Sequence, residues 1–148
     1  GHSEKTNLLL AISGETPTAN QDAARWLEMW SDGGTTTARF DAFIQRILDD
    51  IGPGTPQRRR TFIFDNLGSH RNILVLQKIY AAGHRVVFRA PYYPVDGPIE
   101  YFFNTIQGTL TLSMYGIDSL SAVRNDVRAT IRNTRSFRSY FLYCGYLP

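Results

Sequence analysis

Cysteine is almost missing from this chain: Cys144 is the only one in 148 residues. That excludes an internal disulfide and a thiolate-rich zinc site. Long apolar runs are missing as well. Runs such as residues 8–12 and 86–88 fall far short of the roughly 20 residues that cross a bilayer. No signal-peptide pattern, internal repeat or low-complexity segment is present. These absences predict a soluble, intracellular protein without membrane association, nuclear if its source is eukaryotic. What remains suits one ordinary domain with one core, since 43% of the residues are hydrophobic. The net charge of +3 is compatible with a polyanionic partner without requiring one.

Periodicity gives a coarse order of elements. "TNLLLAISG", residues 6–14, is a short apolar run closed by glycine and reads as a buried strand. "ARWLEMW", residues 24–30, alternates and reads as a second strand ending at the turn "SDGG". Phe40, Phe43, Ile44, Ile47, Leu48 and Ile51 then form one stripe of an amphipathic helix stopped by Gly52, Pro53 and Gly54. "TFIF", residues 61–64, is a β-branched and aromatic run that predicts a central strand. A helix is expected over residues 70–82, with Gly83 as its stop, followed by the short strand "RVVF". Pro98 suits the first turn of a helix over about residues 97–113, with Phe102, Phe103, Ile106 and Leu110 on its buried side. Asp118 or Ser119 can cap a last helix whose inward residues are Leu120, Val123, Val127 and Ile131. The pattern is a mixed α/β domain spanning residues 1–148, with parallel crossovers where strands and helices alternate.

Two acids stand out by position. Asp65 directly follows "TFIF", so it falls at the carboxyl edge of the expected sheet, where open α/β sheets commonly bind ligands. It also suits a turn-capping role in "DNLGSH". Glu100 falls in the first turn of a helix entered through "APYYPVDGPIE", whose three prolines remove φ freedom. An acid there is also favoured by the helix dipole. Oxygen ligands from separate elements converging at a sheet edge are a common way to hold magnesium beside a phosphate.

Together, "FIFDNLGSH" and "APYYPVDGPIE" resemble the second and third acidic motifs of DDE transposases of the mariner superfamily. In that family a strand ends in Asp-Asn with a His shortly after, and the last acid closes a Pro-Tyr-Ser-Pro…Asn-Pro-Ile-Glu motif. The matching positions are Asp65, Asn66 and His70, then Pro91, Tyr92, Tyr93 and Pro94, then Gly97, Pro98, Ile99 and Glu100. The 34 residues between positions 65 and 100 agree with the branch that ends in glutamate. "SYFLYCGY", residues 139–146, resembles the C-terminal end of eukaryotic-type members, so the resemblance spans about residues 8–146.

The resemblance implies a ribonuclease H-like mixed sheet flanked by helices, and the catalytic core of an enzyme that cleaves and joins DNA strands by phosphoryl transfer. It assigns Asp65 and Glu100 as catalytic acids holding Mg2+ or Mn2+ in a two-metal site, with Asn66 and His70 as accessory residues. His70 would help orient a phosphate or a metal-bound water; a histidine at a helix start more often caps or packs. The partners implied are DNA, both transposon ends and target, with no small-molecule cofactor; a homodimer is left open. Two positions depart from the third motif. Tyr93 replaces Ser, and Gly97 replaces Asn, with Asp96 beside it as a partial substitute.

The family also needs a first Asp on the opening strand of the sheet. Glu15 and Asp32 lie in turns after strands expected to be the second and third, and Glu4 lies in the terminal segment, so none stands at that place. The expectation is an N-terminally truncated fragment, or degenerate copy, of a longer transposase that lacks the first strand and the helix-turn-helix region for end recognition. Two rivals follow: a plain ribonuclease H-like nuclease, and a catalytically inactive domain serving as a DNA-binding or protein-interaction module. Enzymatic activity of these residues alone is therefore open. Arg124, Arg128 and Arg132 recur every four residues and can track a phosphate backbone, although a solvated helix face looks the same. Tyr92 and Tyr93 can stack on an unpaired base or pack the proline loop. Arg58, Arg59 and Arg60 read as a solvated loop, and His84 reads as a surface residue in a turn.

Overall fold

The structure, a computed structural model, describes residues 7–31, 33, 36–64, 73–88, 98–99, 102 and 120–144, with the side chains of residues 88, 120–126 and 143 outside the description. The chain is mixed α/β and divides into two compact units, residues 1–31 with 95–148 and residues 32–94. Among the described residues the strands form two two-stranded sheets, and no single sheet holds all four.

In the first unit, β1 (Asn7–Ile12) pairs antiparallel with β2 (Arg25–Trp30). Their register sets Leu8 opposite Met29, Leu10 opposite Leu27 and Ile12 opposite Arg25. Because strand side chains alternate faces, Leu8, Leu10, Ile12, Leu27 and Met29 share one face, and all of them belong to or pack against the core. That core is completed by Ala23, Phe102, Val127, Ile131 and Phe137. Val127 and Ile131 lie on a helix we label α3 (Leu120–Asn133), one turn apart on its inward stripe. Phe102 is fully buried and meets Phe137 and Tyr140 edge-on, with ring centroids 5.1 and 5.5 Å away. Tyr140 belongs to a short helix, α4 (Arg138–Tyr143), which periodicity alone does not predict. Pro98 and Ile99 are helical, Pro98 is buried and Ile99 packs on this core; the rest of the helix expected over residues 97–113, apart from Phe102, lies outside the described residues.

The second unit begins with α1 (Thr37–Ile51). Thr36 is its N-cap, accepting from the Arg39 backbone N–H at 3.1 Å. Phe40, Phe43, Ile44, Ile47 and Leu48 are buried as one stripe, so truncating the 2%-exposed Ile44 to Ala would cost about 2–5 kcal/mol. Gly52 ends the helix with φ 74, its N–H donating to the Leu48 carbonyl at 2.9 Å. Next, β3 (Thr61–Phe64) pairs in parallel with β4 (Arg85–Phe88), from Thr61 opposite Arg85 to Phe64 opposite Phe88. Between them in sequence lies α2 (Ile73–Ala81), which buries Val75 and Ile79. Parallel strands need such a crossover. Phe64 packs on Phe40 with centroids 6.1 Å apart.

One end of this unit is closed by backbone meeting backbone. Gly54 N–H donates to the Ala82 carbonyl at 2.7 Å, and a Cβ on either Gly54 or Gly83 would run into the carbonyl of the other. Gly83 also has φ 88, a conformation that side chains disfavour. The adjacent His84 is only 3% exposed, which corrects its reading as a surface residue. Its Nδ1 accepts from the Arg60 N–H at 3.1 Å, and its Nε2 lies 2.8 Å from the Gly52 carbonyl. A carbonyl can only accept, so Nε2 carries the proton. The imidazole thereby joins the end of α1 to the approach to β3, with Phe62 against its ring at 5.9 Å.

Candidate functional site

The residues predicted to carry the chemistry flank the parallel sheet in sequence. β3 ends at Phe64, so Asp65 is the next residue, and β4 ends beside it at Phe88. The strands that precede the two motifs in sequence therefore end side by side, at Phe64 and Phe88. Asp65, Asn66, His70, Tyr92, Tyr93 and Glu100 themselves lie outside the described residues. Among the described residues no group of three or more His, Cys, Asp or Glu could hold a metal ion. None of the described helices is long and apolar enough to cross a membrane.

The basic stripe is described in part. Arg128 and Arg132 are exposed on α3, while the side chain of Arg124 lies outside the described residues. Arg58 and Arg59 are exposed and Arg60 is half-buried, with Thr55 and Arg58 closing the turn that leads into β3 through mutual backbone bonds of 3.3 and 3.0 Å.

A third arginine joins Arg128 and Arg132, and periodicity gives no reason to single it out. Arg25 opens β2 on the same face as Leu27 and Met29. Its Nε and Nη2 donate to the Ala23 carbonyl at 3.1 and 2.9 Å, and its Nη1 donates to the carbonyl of Ile131. Ile131 is in the last turn of α3, where carbonyls lack helical partners and the dipole favours a cation. The Thr134 hydroxyl satisfies the neighbouring Thr130 carbonyl at 2.8 Å. Phe137 presents its ring face to the Arg25 guanidinium, 4.6 Å from the centroid. Burial pulls the Arg25 pKa below its ordinary value, and Asp22 pulls it partly back. The guanidinium stays charged, because arginine titrates far above neutral pH. Ala23 N–H donates to the Arg135 carbonyl at 2.9 Å and the Arg135 side chain reaches the Thr18 carbonyl at 3.3 Å, so the loop after α3 is tied to the β1–β2 connection.

Arg25, Leu27 and Met29 of β2 and Arg128, Ile131 and Arg132 of α3 line a groove of about 250 Å3. Its lining holds three cations, three apolar side chains and no acid. Such a surface suits an anion attached to an apolar body.

No family model, curated protein or solved structure matches this chain. The functional reading therefore rests on the motifs, the parallel strand pair and the charge arrangement.

Proposed function

We propose that this chain is part of the catalytic core of a DNA transposase resembling the mariner superfamily, a metal-dependent enzyme of strand cleavage and strand transfer. One observation carries the reading. The strand "TFIF" ends immediately before Asp65-Asn66 and pairs in parallel with the strand that leads into the proline motif closed by Glu100. The element order supports it: an antiparallel pair, a helix, and two parallel strands separated by a helix suit the second to fifth strands of a ribonuclease H-like fold.

Asp65 and Glu100 are the residues that would hold magnesium or manganese, since hard divalent cations prefer carboxylate oxygen. When bound, such ions supply charge stabilisation of the phosphoryl oxygens and a more acidic attacking water or 3′ hydroxyl. The residues of the chain supply position. Pro91, Pro94 and Pro98 restrict the approach to Glu100, and Asn66 and His70 offer hydrogen bonds to a phosphate. Arg128 and Arg132 add salt-dependent affinity for a nucleic-acid backbone. Gly97, standing where the family keeps Asn, removes one side-chain hydrogen-bonding group from this approach.

The test is a strand-transfer assay on a chain extended upstream, with labelled DNA and Mg2+. Asp65→Asn and Glu100→Gln are each expected to reduce product at least about 100-fold, the scale of losing one well-placed charge-stabilising group. Unchanged product in either variant would refute the assignment of that acid.

A further inference from the structure

We propose that the groove between β2 and α3 is a binding site for single-stranded DNA, in which Arg25, Arg128 and Arg132 hold a phosphate and Leu27 and Met29 receive the face of the adjoining unpaired base. The proposal takes its ligand class from the transposase reading, but it uses neither acid and lies wholly in the unit of residues 1–31 and 95–148.

The cations come from two elements and are held differently. Arg25 is fixed by its bonds to the Ala23 and Ile131 carbonyls and by the Phe137 ring. A guanidinium has five N–H donors; these contacts engage Nε, Nη1 and Nη2 and leave two. A prepositioned fork loses little freedom when an anion arrives. Arg128 and Arg132 are exposed one turn apart, about 6 Å along the helix, and can close over the anion from the other side. Among the described residues no ion pair involves either of them.

The floor decides the form of the nucleic acid. A duplex presents phosphates outward but hides base faces in its stack, so it would leave the exposed parts of the half-buried Leu27 and Met29 facing water. An unpaired nucleotide offers both the phosphate and a free base face, and laying that face over Leu27 and Met29 removes apolar area from water whatever the base. A groove of about 250 Å3 is smaller than the pockets of about 300–1,000 Å3 that enclose drug-sized ligands, and matches a single base.

The test uses fluorescence anisotropy of the full 148-residue chain with a short labelled single strand and with the same sequence as a duplex. Binding is measured in EDTA over a range of salt, so that the acids play no part. The single strand should bind more tightly than the duplex. Combining Arg128→Ala with Arg132→Ala should weaken single-strand binding about tenfold and flatten the slope of log affinity against log salt by up to roughly 0.7, one phosphate contact's worth for a single strand. Met29→Ser should weaken it about threefold and leave the salt slope unchanged, because the lost contact is apolar and involves no phosphate. Both sets of substitutions are at exposed or half-exposed side chains, and an unchanged melting curve checks the fold. Duplex binding as tight as single-strand binding, or a double arginine variant with unaltered affinity and slope, would overturn the proposal. A parent chain that shows no preference for the single strand, while Mn2+ still binds at Asp65 and Glu100 in a separate soak, rejects the groove alone. Loss of the metal response with strand binding retained rejects the acid pair alone.

Discussion

Arg25 donates a hydrogen bond to the backbone carbonyl of Ile131, tying the first residue of β2 to the last turn of α3 across 106 positions of sequence. The same guanidinium reaches the Ala23 carbonyl and lies against Phe137, so one side chain gathers three segments of its unit. Replacing Arg25 with Met keeps most of the aliphatic stem and removes every donor. The expected loss is about 1–3 kcal/mol of unfolding free energy, from carbonyls left short of donors, measured by urea denaturation. A variant as stable as the parent would mean that these carbonyls find other partners.

His84→Ala removes both an acceptor for the Arg60 N–H and a donor to the Gly52 carbonyl in a site that is nearly closed to water. A cost of about 1–3 kcal/mol is expected for each group left unsatisfied. Faster hydrogen exchange at the Arg60 amide should accompany it. Exchange at Arg60 that stays as slow as before would show that the imidazole does not protect that amide.

Gly83→Ala should be among the most damaging single methyl additions in this unit. The new Cβ would meet the Gly54 carbonyl, and the backbone is already at φ 88. Strain of this kind costs about 1–3 kcal/mol for the conformation alone, and the collision adds to it. A thermal melt within error of the parent would contradict the close approach of these two loops.

Lys78 and Asp41 make the opposite case. Their side chains meet at 3.0 Å, but they are 31% and 41% exposed. Water and salt screen such a pair, so Lys78→Met should change stability by less than about 1 kcal/mol. A larger loss in chemical denaturation would assign α1 and α2 an electrostatic clamp that the exposure does not support.

Much of the fold is legible from local pattern, because local pattern is what made it. Phe40, Phe43, Ile44, Ile47 and Leu48 repeat at helical spacing and are buried together, and "TFIF" and "RVVF" are strands over their full lengths. The features that local pattern does not explain depend on distant partners. His84 follows a glycine in a turn, where exposure is the natural expectation, yet its partners lie 32 and 24 positions away. Arg25 is a cation among apolar strand residues, and its place in the pattern becomes sensible only once the end of α3 is beside it. The six-residue α4 lacks both a side-chain cap and a full stripe, so packing of Tyr140 on Phe102 rather than local propensity accounts for it. Asp65 and Glu100 are singled out only by the motifs around them and lie outside the described residues, and spacing along a chain does not fix the distance between two carboxylates. The strand before Asp65 and the parallel strand paired with it are what local pattern predicts and the structure contains.

The central claim, that Asp65 and Glu100 hold a divalent metal together, is tested most directly by anomalous diffraction from crystals soaked in millimolar Mn2+. The account predicts a strong peak within coordination distance of both carboxylates, about 2.0–2.6 Å from their oxygens for hard divalent cations, and its loss in Asp65→Asn. No peak between the two residues at that concentration would contradict it.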